Sequence, residues 1–314
     1  GVDVPDTRAW RLQAVRDHPL VDALLTWRKA ERIATTFGYG WIDTFVGADG
    51  RLRGQWSSAD GAAGRMTASA GLHNMPADLR PAVRAEPGHV LVRADLGQIE
   101  PRVLAAVSGD RALVRSTAAG DMYAPVAAQI GVDRDTAKVA VLGAMYGQTT
   151  GHGAAVLPRL HQSYPAAMRL LEAADEAGRA GRDIRTHGGR LIRLGAHTPE
   201  DDVDDPDEAA LRDARARTGA RGRYARNAVI QGAAAELFKV WAVTVRARGV
   251  ELDARIVLCL HDELLVHAPA SASSAVADLL ERCLHEAVHR WSPDSGVHFV
   301  ADIAVLERWS DATH

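Results

Sequence analysis

Cysteine is nearly absent from this 314-residue chain. Cys259 and Cys283 are the whole complement, which excludes a disulfide framework and fits a reducing cytoplasm. No run of about 18 apolar residues occurs, so no membrane span is expected. Internal repeats and low-complexity tracts are lacking too, which excludes a repeat architecture. An excess of positive charge is missing: the formal net charge of −3 gives no global attraction to nucleic acid, although a basic cleft can coexist with an acidic remainder. Lysine is scarce, with only Lys29, Lys138 and Lys239 in a chain otherwise biased to arginine, so each lysine invites a chemical explanation. The opening, GVDVPDTRAW, has neither an initiator methionine nor a signal peptide, as a piece of something longer would.

What is present is ordinary globular material, 47% hydrophobic and 25% charged, enough for one large domain or two smaller ones. Apolar spacing at Leu20, Leu24, Leu25 and Ile33 predicts a helix over 16–37. WIDTF and RLRGQW predict a hairpin turning at Ala48-Asp49-Gly50. A strand is expected at HVLVRAD (89–95), followed by a helix over QIEPRVLAAVSGD. A helix over 133–146 would be capped by Asp133 or Asp135 and ended near Gly147. The acidic stretch 199–213 reads as a solvated loop and helix start. A long helix over 223–248, ended by Gly249, leads to a hairpin at LCLHDELLVHAP (258–269). Then come a helix over 273–291 with an apolar stripe at Val276, Leu280, Cys283 and Ala287, and a last strand in HFVADIAVLERW. Few strands separated by long helical insertions, without regular βαβ alternation, make the class α+β.

Three constellations carry chemistry. Asp262 and Glu263 occupy the tip of the hairpin, where a tight turn ordinarily uses Gly or Asn. Asp95 ends the 89–95 strand; alone it reads equally well as a helix cap, but with Asp262 it could hold divalent cations, and such oxygen donors suit Mg²⁺. Arg134, Lys138, Leu142 and Tyr146 fall four apart, a helical stripe of about 18 Å able to span a triphosphate and a nucleoside. Arg223, Asn227 and Gln231, also four apart, could read the minor-groove edge of a duplex or be a plain exposed face.

Together these segments resemble family A DNA polymerases, the group of bacterial DNA polymerase one. RADLGQIEPRVLAAVSGD looks like motif A, RDTAKVAVLGAMYG fits the motif B pattern R-x-x-x-K-x-x-x-F-G-x-x-Y-G, and LCLHDELLV fits motif C. GRMTASAGLHNMP (64–76), THGGR, RNAVIQG and the closing LERWSDATH match further, in the family's order. The resemblance implies a right-hand architecture with an antiparallel-sheet palm (41–111 and 219–314) and helical fingers (112–218). Most of the thumb would be missing, residues 1–40 being its end and return into the palm, and the family's usual upstream exonuclease domain lies outside this sequence, as in a fragment or an unusually short relative.

It also implies roles. Asp95 and Asp262 would bind two Mg²⁺ ions, with Mn²⁺ as a substitute, and Glu263 would lie just outside them. Arg134 and Lys138 would neutralise phosphates, Lys138 also donating a proton to pyrophosphate, while Leu142 and Tyr146 would face the nucleotide. Glu100 would exclude a ribose 2′-OH, and Gln98 and Arg102 would support the site from among the substrate-binding residues. Arg65, Arg223, Asn227, Gln231 and His261 would contact primer–template DNA. The implied partners are that DNA and deoxynucleoside triphosphates, for a monomer in the bacterial cytoplasm, at the nucleoid. Leu96 and Gly97 stand where Tyr and Ser are usual, Leu142 replaces an aromatic, Pro101 follows Glu100, and Tyr123 replaces a common histidine. A DNA-binding protein of the same fold with little turnover is the alternative. A metal-dependent nuclease would leave the Arg134/Lys138 stripe unexplained.

Overall fold

The computed structural model describes residues 3–4, 6–59, 61, 63–148, 154–195 and 208–312. The chain divides into two units, one of Gly1–Trp56 with Ala68–Val83, the other of Ser57–Thr67 with Arg84–His314.

In the first unit a helix runs Pro19–Thr36, entered through His18, whose side chain accepts the Leu20 N–H. Its buried residue is Val21; of the expected stripe Leu24, Leu25 and Ile33 are half-buried, whereas Leu20 is 67% exposed. The expected strand at WIDTF is instead a helix, Tyr39–Phe45. Phe37, Trp41 and Phe45 lie four apart, and their rings pack at 5.5 and 5.8 Å, while Trp41 Nε1 donates to the Ala70 carbonyl at 2.8 Å. A period of four matches a helix, and that packing overrides β propensity. Of the hairpin there remain the Val46–Leu52 bridge, with Gly47 N–H donating to the Arg51 carbonyl and Arg53 N–H to the Phe45 carbonyl, and a Gly47–Gly50 turn.

The second unit is built on a four-stranded antiparallel sheet, in the order Arg255–Leu260, Glu263–Pro269, His89–Leu96, Ala301–Leu306. The last strand is shorter than the sequence suggested, and the class is α+β as expected. Val92, Ala94, Leu264, Val266 and Ala268, all fully buried, line one face in the main core. The Ser273–Trp291 helix packs there with the expected stripe, Val276, Leu280, Cys283 and Ala287, each at most 1% exposed. Trp241 bridges to it by donating to the Leu280 carbonyl at 3.0 Å.

Trp241 belongs to a helix of 41 residues, Glu208–Arg248, which begins earlier than the predicted Arg223. The acidic stretch read as a loop and helix start lies outside the described residues up to position 207, and from Glu208 onward it is helical, in line with the expected helix start. The helix segment Arg212–Leu252 is apolar enough over 18 residues to cross a membrane, yet 67% of that window is buried inside the fold. Its neighbour, Pro165–Arg179, approaches so closely that a Cβ on Gly178 would stand 2.5 Å from the Arg221 carbonyl oxygen. Asp110 caps two helices at once: one carboxylate oxygen accepts from Ala112 and Leu113, the other from Ala166 and Ala167.

Candidate active site

Strand register brings the hairpin tip to the end of the central strand. Asp95 pairs with Glu263 on one side and Asp302 on the other, and Leu96 N–H donates to the Asp262 carbonyl at 3.0 Å. Leu260 pairs directly with Glu263, so His261 and Asp262 form a two-residue turn. His261 holds φ +55°, a left-handed conformation uncommon for a residue with a Cβ. Burial and then the charge of Asp95 push the Asp262 carboxyl up to about 6, with Glu100 adding and Arg65 opposing. Two carboxylates crowded this way favour a cation between them.

Glu263 does different work. Arg93, 2% exposed, donates to Glu263 Oε2 at 2.5 Å and to Asp95 Oδ2 at 3.0 Å, and lies 3.6 Å from Asp302. Trp309 Nε1 donates to Glu263 Oε1 at 2.8 Å. Both Glu263 oxygens are thus engaged, and this carboxylate anchors the hairpin rather than facing open space. Sequence reasoning missed Arg93 and Trp309. The signal was there: an arginine two residues before Asp95 on a strand shares its face.

The Arg134–Tyr146 helix starts, as predicted, at Asp133, whose side chain accepts the Thr136 N–H, and ends at Gly147 with φ +67°. Arg134 donates to Asp121 at 2.6 Å and to Asp135 at 3.0 Å, and stacks over the Tyr123 ring at 5.8 Å. Burial and the Glu100 and Asp121 charges raise the Tyr123 phenol to about 12, so it stays neutral. The same Asp121 accepts from Gln98 Nε2 at 2.6 Å, while Gln98 Oε1 accepts the Met122 N–H at 2.9 Å. Gln98, at φ +54°, thereby ties the end of the central strand to the helix bearing Arg134. Asp121 is a third residue the sequence reading did not pick out. Of the three lysines, Lys29 pairs with Asp78 at 2.6 Å and Lys239 donates to the Gly64 carbonyl at 2.9 Å. Lys138 is exposed, with no hydrogen bond or ion pair among the described residues.

At the other end of that helix Tyr146 Oη donates to Glu100 at 3.0 Å, and Arg65 donates to the other Glu100 oxygen at 2.7 Å. Asn227 and Gln231 hydrogen-bond the same tyrosine hydroxyl. The four-apart amides therefore converge on Tyr146, and their helix face is half-buried rather than freely exposed. Arg223 is exposed and lies against Gly147, where a Cβ would meet its side chain at 2.9 Å. Leu142 is half-buried and packs on the core. His261 is exposed at the turn.

Arg102 is a correction. Expected beside the substrate, it is fully buried, and its guanidinium donates to the carbonyls of Gly97, Thr117, Ala119, Gly120 and His298. It holds the loops beneath the site and cannot reach a ligand. Arg226, also unanticipated, donates to the Ala144 carbonyl, one of the orphan acceptors at the end of the 134–146 helix.

One face of the second unit thus gathers two carboxylates at adjacent strand ends, a helix carrying Arg134 and Lys138, and a Glu100–Tyr146–Arg65 cluster. The donor set of Asp95 and Asp262 is hard oxygen, the kind that holds Mg²⁺ or Mn²⁺.

Comparison with known proteins agrees with this arrangement. The chain is 30% identical over 336 residues to the thermostable DNA polymerase I of Thermus aquaticus, covering 98% of this chain and 38% of the relative. It is 32% identical to the thermostable DNA polymerase I of Thermus thermophilus, covering 88% and 35%, and 30% identical to DNA polymerase I of Chloroflexus aurantiacus, covering 94% and 32%. The chain spans about a third of the length of these relatives. In fold it is similar to the POL domain of Pol1 from M. smegmatis, solved with DNA primer-template and dNTP, with a TM-score of 0.79 at 24% identity, covering 98% of this chain and 57% of that one. The sequence profile described as DNA polymerase family A matches residues 3–311, and the chain belongs to that family.

Proposed function

We infer that this chain is a DNA-directed DNA polymerase that adds deoxynucleotides to a primer 3′-OH under the direction of a template strand. The reading rests on one observation above the others: Asp95 and Asp262 share the end of one sheet, and the Asp95 charge helps raise the Asp262 carboxyl to about 6. On this reading residues 41–111 and 219–314 form the palm, 112–218 the fingers, and 1–40 the end of the thumb.

Asp95 and Asp262 would hold two divalent cations, Mg²⁺ by the hardness of the donors. When bound, these ions lower the pKa of the primer hydroxyl and neutralise the triphosphate. Arg93 holds Asp95 directly and, through Glu263, the hairpin that carries Asp262, so that Asp95 and Asp262 would face the same space. As the primer oxygen bonds to the α-phosphorus, the bond from that phosphorus to the bridging oxygen breaks and pyrophosphate leaves. Arg134 offsets the charge of the leaving group, and Lys138 gives it a proton. Lysine suits that role because an ammonium can release a proton where a guanidinium cannot. Tyr146 and Leu142 border the nucleoside, and Glu100 excludes a ribose 2′-OH. Arg65, Arg223, Asn227, Gln231 and His261 serve the primer–template.

The test is primer extension with Mg²⁺, native chain against Asp262→Asn. Extension by the native chain and loss of at least three orders of magnitude in the variant is expected. Native chain that binds primer–template without extending it would instead identify a binding protein of this fold.

A further inference from the structure

About 20 Å from Asp95, six residues back along the central strand at 3.3 Å each, the sheet ends in a second cluster of metal-ligating side chains. Glu86, His89 and His267 each bring one ligand atom within 4.8 Å of the others. We propose that these three residues form a Zn²⁺ site, separate from the Asp95/Asp262 pair, that clamps the start of the central strand to its neighbour.

The backbone presents two of the ligands rigidly. Glu86-Pro87-Gly88-His89 is a β-turn closed by His89 N–H to the Glu86 carbonyl at 2.9 Å, with Gly88 at φ +80°. Proline at the second position and a positive-φ glycine at the third are the type II pattern, which sets residues one and four side by side. The turn is pinned on both flanks, by Ala85 N–H to the Glu307 carbonyl at 2.9 Å and Ala270 N–H to the Gly88 carbonyl at 3.0 Å. His267 joins from the neighbouring strand, where it pairs with Leu91.

The histidine tautomers suit a metal. His89 Nδ1 lies 3.3 Å from the Pro87 carbonyl, so Nδ1 carries the proton and Nε2 offers a lone pair. A ligating histidine is ordinarily oriented by such a bond from its other nitrogen. His267 Nε2 accepts the Glu86 N–H at 3.3 Å, which places its proton on Nδ1; that bond, at the long end of hydrogen bonding, would give way to the ion. The two rings stack at 4.6 Å, 10° from parallel, and a turn of one ring about χ2 would let both nitrogens reach Zn²⁺ at about 2.0 Å. Two imidazoles and one carboxylate suit Zn²⁺ and leave one coordination position for water.

The experiment is Zn²⁺ titration of the folded chain by calorimetry in excess Mg²⁺, which occupies the hard carboxylate pair, paired with visible absorption of the Co²⁺ form. One Zn²⁺ per chain and tetrahedral Co²⁺ bands are expected in the native protein. Both should be lost in His267→Ala, and Zn²⁺ affinity should fall tenfold or more in Glu86→Ala and His89→Asn. Mg²⁺-dependent primer extension should be unchanged in Glu86→Ala. Equal Zn²⁺ affinity in the native chain, Glu86→Ala and His89→Asn would overturn the assignment, as would no Zn²⁺ uptake by the native chain. If His267→Ala does not fold, the two turn variants decide it.

Discussion

Tyr146 Oη donates to the Glu100 carboxylate at 3.0 Å, across 46 residues of chain, and Arg65 holds that carboxylate from its other oxygen. The pair fixes an acid against the ring beside which the nucleotide sugar would lie. Glu100→Ala should therefore admit ribonucleotides, by about one to two decades, since a hydrogen bond to a charged group is worth roughly 1.5–3 kcal/mol. Competition between ribo- and deoxynucleotides in single-turnover extension measures this, and unchanged selectivity would remove Glu100 from the sugar site.

Leu142 sits one turn before Tyr146 and offers no hydroxyl to replace a missing 3′-OH. The native chain should reject dideoxynucleotides, and Leu142→Tyr should relax that rejection by about tenfold or more, on the scale of one hydrogen bond. Termination frequencies with mixed deoxy- and dideoxynucleotides check it. A native chain indifferent to the 3′-OH would place Leu142 elsewhere.

Lys138 is exposed and has no ion-pair partner among the described residues, whereas Lys29 and Lys239 are both engaged. Lys138→Arg keeps the charge and removes a proton donor, so the chemical step should slow by about 10²-fold, the lower range for general acid catalysis. Rapid-quench rates show it. A fully active Lys138→Arg would mean that charge alone matters there.

Asp262 has an ordinary carboxyl value of 3.8 and a folded value of about 6. Between these the folded chain retains a proton that the unfolded chain has released, so without divalent metal, stability falls as pH rises from about 4 to 6 and stays lower above. Asp262→Asn removes that cost and should stabilise the metal-free chain at pH 7 by about 1–3 kcal/mol. Thermal unfolding at pH 5 and 7 tests the sign. Mg²⁺ should raise the native melting temperature and not that of Asp262→Asn.

Arg93→Met takes the guanidinium away from both buried Glu263 and Asp95, leaving the Trp309 N–H on the other Glu263 oxygen. Removing one member of a buried ion pair costs about 3–5 kcal/mol. Urea unfolding should show a loss of that size, and a loss below about 1 kcal/mol would mean the guanidinium is dispensable.

Much of the site was legible because its residues obey local periodicities. The stripe Arg134–Lys138–Leu142–Tyr146 and the cap at Asp133 follow from helix geometry; the hairpin was legible too, but its turn is His261-Asp262, one residue before the expected Asp262-Glu263 tip, and Glu263 already lies in the strand. Scarcity marked all three lysines for chemistry, yet Lys29 and Lys239 make structural contacts, while Lys138 stands exposed on the Arg134–Tyr146 helix. What escaped was tertiary. Arg102 looked like a ligand residue because sequence shows its charge and not the five carbonyls that surround it. Asp121 joins Gln98 to Arg134 only after two helices pack, and no local pattern announces it. WIDTF was misassigned because β-favouring residues were weighed singly, while Phe37, Trp41 and Phe45 stack as a set.

Arg93 also makes the sheet check itself. Its single guanidinium faces carboxylates from three strands, Asp95 on its own, Glu263 and Asp302 on either side. A slip of one residue in either flanking strand turns that strand's side chains to the opposite face. The buried cation would then lose its counter-charges, and the acids would enter the packed layer with no partner. A misregistered chain is thus penalised at the strand ends where Asp95 and Asp262 must come together, so register errors are disfavoured during assembly itself.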